Sequence, residues 1–277
     1  MANIAYPPPR PLSVGEVLDL TFRIYRASVV SCLIFAALGV IANQLPNLYS
    51  VSRGATLLQA LLTPKNSLML GSLMLAGALL GLVFTGAVVL RQYAIATGHP
   101  VGGELPRSLG RLPGLVLLMV LFGATFAVGA MFIGAAFIFS GIARVLLALL
   151  LCLPILYALV AVSCSLTAMY VTPMGAAAAY VRSVRLTSGS FWRLSVIYTI
   201  GVIVLFVLYI LTSGVIGMLM GILGRGDVAL ITATLGVVSV AIGALATPFY
   251  TALGLAVFGD LTVRKEGADL AQRISAS

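Results

Sequence analysis

One histidine, seven acids and three cysteines are the groups from which this chain could build a metal site, a nucleophile–base pair or a proton relay. The histidine, His99, stands directly before Pro100. A single histidine excludes H-E-x-x-H, and neither G-x-S-x-G nor a P-loop occurs. Cys32, Cys152 and Cys164 have no zinc-type spacing and read as small apolar packing residues. The acids are Glu16, Asp19, Glu104, Asp227, Asp260, Glu266 and Asp269, and none lies in the middle of a long apolar run. A proton- or ion-coupled transporter usually holds an ionisable group inside the membrane, so this pattern argues against one. The hydroxyls of Ser163, Ser165, Thr167 and Tyr170 would suggest an enzyme only if gathered around an arginine. The expectation is no catalytic residue, no metal and no cofactor.

The elements that must position these groups are long and apolar. Apolar types make up 61% of the chain and charged types 8%, where soluble domains carry about 25% charge. Residues 27–52, 66–90, 112–143, 145–181, 194–224 and 228–259 contain no Asp, Glu, Lys or Arg. Crossing a bilayer takes about 20 apolar residues in a helix, and no run is long enough for two crossings and a loop. The fold expected is an all-α membrane bundle with six spans near 27–49, 67–90, 114–138, 146–170, 194–216 and 233–258. A β-barrel is excluded because its strands alternate, whereas Val145-Leu146-Leu147-Ala148-Leu149-Leu150-Leu151 is apolar throughout. Residues 1–11, rich in proline, read as a flexible tail rather than a signal peptide. Residues 12–265 read as one integral domain and 266–277 as a C-terminal tail.

The basic residues set the orientation. Arg10, Arg23, Arg26, Arg91, Arg107, Arg111, Arg182, Arg185, Arg193, Arg264, Lys265 and Arg273 fall on the side of the termini. Arg53, Lys65, Arg144 and Arg225 fall on the other. Twelve against four places both termini in the cytoplasm. The net charge of +9 is therefore spread beside spans, where it suits anionic lipid heads rather than nucleic acid.

A spaced basic pair precedes each odd span: Arg23 and Arg26, Arg107 and Arg111, Arg182 and Arg185. Offsets of three or four put each pair on one helical face. From Ser13 to Arg26, the charged residues Glu16, Asp19, Arg23 and Arg26 share a sector of about 80°. Ser13 and Glu16 form a capping-box pattern, and Asp19 is spaced to pair with Arg23. These features predict three units over 12–98, 103–174 and 175–265, each an interfacial amphipathic elbow followed by a helical hairpin. Gly77 with Gly81 and Gly217 with Gly221 are candidate close-packing pairs. Pro154 and Pro248 should bend or loosen their helices. Asn43 and Gln44 are expected at the outer interface, with Gln59 in the outer loop. Asp260 and Arg264 are spaced as a helical ion pair.

Three segments carry a resemblance. They are Arg10-Pro11-Leu12-Ser13-Val14-Gly15-Glu16-Val17-Leu18-Asp19 with Phe22-Arg23-Ile24-Tyr25-Arg26, then Arg182-Ser183-Val184-Arg185-Leu186 with Phe191-Trp192-Arg193, and finally residues 260–270. In this order they resemble the bacterial glycerophosphoryl diester phosphodiesterase membrane domain family and the related YciC-like proteins. The resemblance implies a multi-pass architecture. It does not imply phosphodiesterase activity, which in that family belongs to a separate soluble domain. The expected function is a non-enzymatic bacterial inner-membrane protein with an envelope-related lipid-contacting or scaffold role. The alternative is a transporter or channel for a small or amphipathic solute. Candidate contacts to lipid heads or a partner are Arg23, Arg26, Arg107, Arg111, Arg182, Arg185 and Arg264. The partners expected are anionic lipids, a protein partner or a second copy, and no nucleic acid.

Overall fold

The computed structural model describes residues 4–52, 64–136, 141–223 and 228–276. Arg53, Gln59, Arg225, Asp227 and the predicted end of the third span at 138 lie outside them. Every regular element among the described residues is a helix: α1 Val14–Asn43, α2 Leu45–Ser52, α3 Pro64–Thr97, α4 Glu104–Gly110, α5 Leu112–Ala136, α6 Gly141–Val162, α7 Ser165–Val171, α8 Ala176–Thr187, α9 Phe191–Leu223 and α10 Val228–Ala276. Six stretches are long and apolar enough to cross a bilayer: Val14–Asn43, Ser67–Thr97, Leu112–Met131, Gly141–Val171, Phe191–Gly214 and Gly236–Gly267. These match the six apolar runs of the sequence.

Helix α1 packs most extensively, against α10 and against α3, and these three form the axis of the bundle. Glycine makes this possible. A Cβ on Gly77 would sit 2.5 Å from the Ala42 carbonyl oxygen, and one on Gly243 would sit 2.7 Å from Val40 Cγ2. The Gly77 and Gly81 pair thus lets α3 approach the end of α1, as its spacing predicts. Gly217 instead faces open space. Helices α5 and α6 pack as a hairpin, and α9 leans on α10.

The three basic-pair segments take three forms. The first is not set apart from its span: α1 runs unbroken from Val14 to Asn43. Neither glycine nor proline occurs between Glu16 and Leu38, so nothing interrupts the helix. Its start is as predicted, with Ser13 Oγ accepting from Glu16 N–H and Glu16 Oε2 accepting from Ser13 N–H at 2.7 Å. The second segment is the short helix α4, entered through Gly98 and Gly103, both at positive φ. The third, α8, is a discrete helix of 12 residues, separated from α9 by Gly189 at φ 76°.

Two further expectations are corrected. Residues 4–12 are not a loose tail. Ile4 and Pro8 are buried, and Tyr6 Oη donates to the Leu255 carbonyl at 3.1 Å. Gly259 leaves room for this segment, since a Cβ there would lie 2.8 Å from the Tyr6 ring. Prolines make the segment stiff and extended, which lowers the entropy lost when it docks. At the other end, α10 continues helical to Ala276 instead of giving way to a tail at 266. Pro154 and Pro248 both sit inside continuous helices. The Pro248 carbonyl accepts from buried Gln92 Nε2 at 2.7 Å, which ties α3 to α10 at this point.

The buried core lies toward the end of the bundle that carries both termini. It joins Val17, Leu20 and Ile24 of α1, Val89 of α3, Leu115 and Leu118 of α5, Met169 and Tyr170 of α7, Leu194 and Ile197 of α9, and Leu253, Leu255 and Leu261 of α10. Toward the opposite end the outer helices turn apolar residues outward, with Met131, Ile142 and Met218 all exposed. In lipid such exposure carries no hydrophobic cost.

Candidate functional site

The end with both termini is built around Asp260. Its carboxylate is 1% exposed and sits late in α10. Oδ2 accepts from Arg193 Nη1 at 2.7 Å, and Arg264 Nε reaches both oxygens at 3.2 Å. Oδ1 also accepts the Leu12 backbone N–H at 2.7 Å. The Leu12 carbonyl in turn accepts from Arg193 Nη2 at 2.8 Å and from Arg264 Nη2. Two guanidiniums, one carboxylate and the backbone N–H and C=O of Leu12 thus satisfy one another, as a buried acid requires. The pairing of Asp260 with Arg264 follows from helical spacing. Arg193 and Leu12 join from positions far away in the chain. All three segments that carry the family resemblance meet in this cluster.

Other charges at this end are paired in the same way. Arg182 of α8 holds Glu266 of α10 with two bonds at 2.7 Å and one at 3.0 Å, and stacks 5.4 Å from the Phe258 ring. Lys265 Nζ donates to the Arg185 and Ser188 carbonyls and so caps the end of α8. Arg91 of α3 holds Glu104 at 3.1 Å and also donates to the Ser31 carbonyl of α1 at 2.7 Å. Burial pushes the Glu104 carboxyl upward, but hydrogen bonds from Arg91 and nearby backbone N–H groups outweigh it and hold the group below its usual range. Burial pushes the Tyr6 hydroxyl well above its ordinary range, so it remains a donor.

The seven arginines singled out in the sequence therefore divide. Arg182 and Arg264 are spent on the ion pairs above. Arg111 donates weakly to the Thr172 carbonyl at 3.4 Å and lies 5.6 Å from the Tyr170 ring. Arg23, Arg26, Arg107 and Arg185 are exposed and form no ion pair among the described residues. The helical pair expected between Asp19 and Arg23 is not formed; Arg10 takes Glu16 instead. Beside Arg185 runs a surface groove of about 610 Å³ lined by Tyr180, Val181, Val184, Arg185, Ser188 and Lys265. Val181 and Trp192 are exposed nearby in sequence, giving apolar surface next to the free cation.

A second concavity lies inside the bundle. It has about 180 Å³ and is lined by residues of α3, α5, α6, α7, α9 and α10. Phe126, Leu159 and Tyr250 are the exposed residues of its wall, whereas Val89, Thr167 and Thr251 are buried. It is thus a slot that opens sideways.

Of the hydroxyls suspected of chemistry, those of Ser163, Ser165 and Tyr170 are engaged in hydrogen bonds within the protein. Tyr170 does lie beside an arginine, Arg111, but its hydroxyl bonds Ser108 at 2.8 Å, and Ser108 donates to the Val83 carbonyl at 2.6 Å. Ser163 accepts from Tyr198 at 2.9 Å and itself donates to the Val160 carbonyl. No group of three or more metal-ligating side chains occurs among the described residues. Sequence reasoning missed the role of Arg193 and the docking of Leu12. An arginine directly after Phe191-Trp192 and an aspartate at a span end were the only signals. No protein-family model, curated protein or solved structure matches this chain.

Proposed function

We propose that this chain is a non-enzymatic multi-pass protein of the bacterial inner membrane, with both termini cytoplasmic, that holds anionic lipid heads on that face. In this reading it has an envelope-related lipid-contacting or scaffold role. One observation carries it. Arg23, Arg26, Arg107 and Arg185 stay outward and unpaired while most described acids at the same end are consumed by internal arginines. Each outward cation near an anionic surface adds about 1 kcal/mol of attraction. The exposed apolar faces of α5, α6 and α9 suit lipid, a protein partner or a second copy. In this reading the resemblance of the three motif segments to the membrane-domain family is taken as architectural, without that family's catalytic activity.

The test is native mass spectrometry of protein extracted in mild detergent, with lipid identification. Wild type should retain anionic phospholipid, and a variant with Gln at Arg23, Arg26, Arg107 and Arg185 should lose most of it. Equal retention in a variant that still inserts normally would overturn the reading. The sideways slot favours a second reading, transport of a small or amphipathic solute. Flux in reconstituted vesicles across a broad solute panel tests it, and no flux would remove it.

A further inference from the structure

The sideways slot has unspent polar capacity in the wrong amount for water. Its wall includes the hydroxyls of Thr85, Ser163, Tyr198 and Thr251, and each already donates within the protein, at 2.8, 2.8, 2.9 and 2.9 Å. Thr167 and Tyr250 are different. Neither hydroxyl forms a hydrogen bond to a described residue, and Thr167 is only 4% exposed. Gly254 lies opposite Thr167, where a Cβ would stand 3.3 Å from Thr167 Oγ1. A volume of 180 Å³ equals about six waters at liquid density, each wanting two to four polar partners. Water can also donate to the lone pairs of these hydroxyls, but Val89, Phe122, Phe126, Leu159, Val162 and Leu166 make up most of the rest of the wall and offer it no partner. An occupant that is mostly hydrocarbon with one or two acceptor atoms fits both features.

We propose that the slot takes one acyl chain of a membrane lipid, entering sideways past Phe126, Leu159 and Tyr250, with its ester carbonyl accepting from Thr167 or Tyr250. The mouth lies on the apolar girth of the bundle, where lipid tails are the surrounding solvent. An acyl chain in the slot packs against its apolar wall and gives the Thr167 or Tyr250 hydroxyl an acceptor, and both effects favour residence over the bulk bilayer. This goes beyond headgroup binding and rests on other residues, so either reading can fail alone.

The experiment uses the full chain in detergent with phosphatidylethanolamine that carries a diazirine midway along one acyl chain. After photolysis, labelled peptides are mapped. Label should concentrate on Phe122, Phe126, Leu159 or Leu166, above the level on the exposed faces of α6 and α9. Leu159→Trp, placed at the half-exposed mouth, should lower slot labelling about tenfold, since several methylenes lose their burial. Thr167→Val keeps the shape and should lower it about threefold through the lost hydrogen bond. The variant with Gln at the four outward arginines should label the slot as wild type does, which separates this proposal from the headgroup reading. Label spread evenly over all outward helix faces would overturn the proposal, as would slot labelling unchanged by Leu159→Trp. If Leu159→Trp misfolds, Thr167→Val with the wild-type map decides alone.

Discussion

Two sets of three helices make up this bundle, and they are held by different means. In α1, α3 and α10 the most apolar windows are 28%, 39% and 61% buried, whereas those of the third, fourth and fifth spans are 17%, 12% and 18% buried. The first set is in contact at both ends, through Asp260 and Leu12 at one and through Gly77, Gly243 and Gln44 at the other. The second set enters the buried core near the termini, through Leu115, Leu118, Leu194 and Ile197, and farther out Gly129 of α5 meets Ile155 of α6. Apolar residues alone cannot draw helices together in lipid, because lipid tails are equally apolar. Close backbone approach and desolvated polar pairs can, and the axis has both. Among the described residues the outer set has ion pairs only at the charged end, while Gly129 of α5 lets Ile155 of α6 come close farther out.

The sharpest way to test this contrast is to cut the charged cluster. Asp260→Asn removes the negative charge and one of the two acceptor oxygens shared by Arg193, Arg264 and the Leu12 N–H. It should cost about 3 kcal/mol, the low side for a broken buried pair because both arginines keep some contact with water. Thermal unfolding in detergent reads this directly. A wild-type midpoint would mean that the cluster does not organise the axis.

Glycine substitution should separate the two sets next. Gly77→Ala drives a methyl into the Ala42 carbonyl and should cost about 1–3 kcal/mol. Gly217→Ala, on α9 in open space, should be neutral or stabilising by up to about 1 kcal/mol. Equal losses in denaturant unfolding would erase the distinction.

Glu104, which ties α4 to α3 and through Arg91 to α1, offers a pH test. Its folded pKa lies below its ordinary value of 4.5, so the unfolded chain binds the proton more readily. Its contribution is fully present above pH 4.5 and is lost as pH falls through the lower folded value. The drop in unfolding midpoint between pH 6 and acid should be smaller in Glu104→Gln. An identical acid profile would place the sensitivity elsewhere.

The smallest effect on stability should come from the outward arginines. Replacing Arg23 and Arg107 by Gln should change unfolding by no more than about 0.5 kcal/mol. The same change at Arg182 breaks its paired contact with Glu266 and should cost more. If Arg23 and Arg182 proved equal, the division into paired and free cations would fail.

Much of the local structure was legible. Ser13 and Glu16 cap α1, Gly77 and Gly81 face a neighbour, and Asp260 finds Arg264 one turn away. Each is a relation within one helix or between a residue type and its backbone, so short-range spacing suffices. The continuity of α1 was legible too, in the lack of glycine or proline from 16 to 38, but the charged face of residues 13–26 suggested a separate elbow. Arg111, Arg182 and Arg264 could not be told from Arg23, Arg26, Arg107 and Arg185 by spacing. All seven sit beside spans, and only the arrangement of neighbours decides which find an acid or a carbonyl.

By itself, then, the sequence determined six membrane-length helices and the side on which basic residues collect. Continuous apolar runs in lipid have one backbone solution, and charges mark where the runs stop. The tertiary structure decided which three helices form the axis, that residues 4–12 dock on α10, and that Arg193 and Leu12 share Asp260. It also decided where helices part enough to leave a slot. These are relations between segments separated by up to 252 residues, and no local pattern encodes which distant partner will arrive.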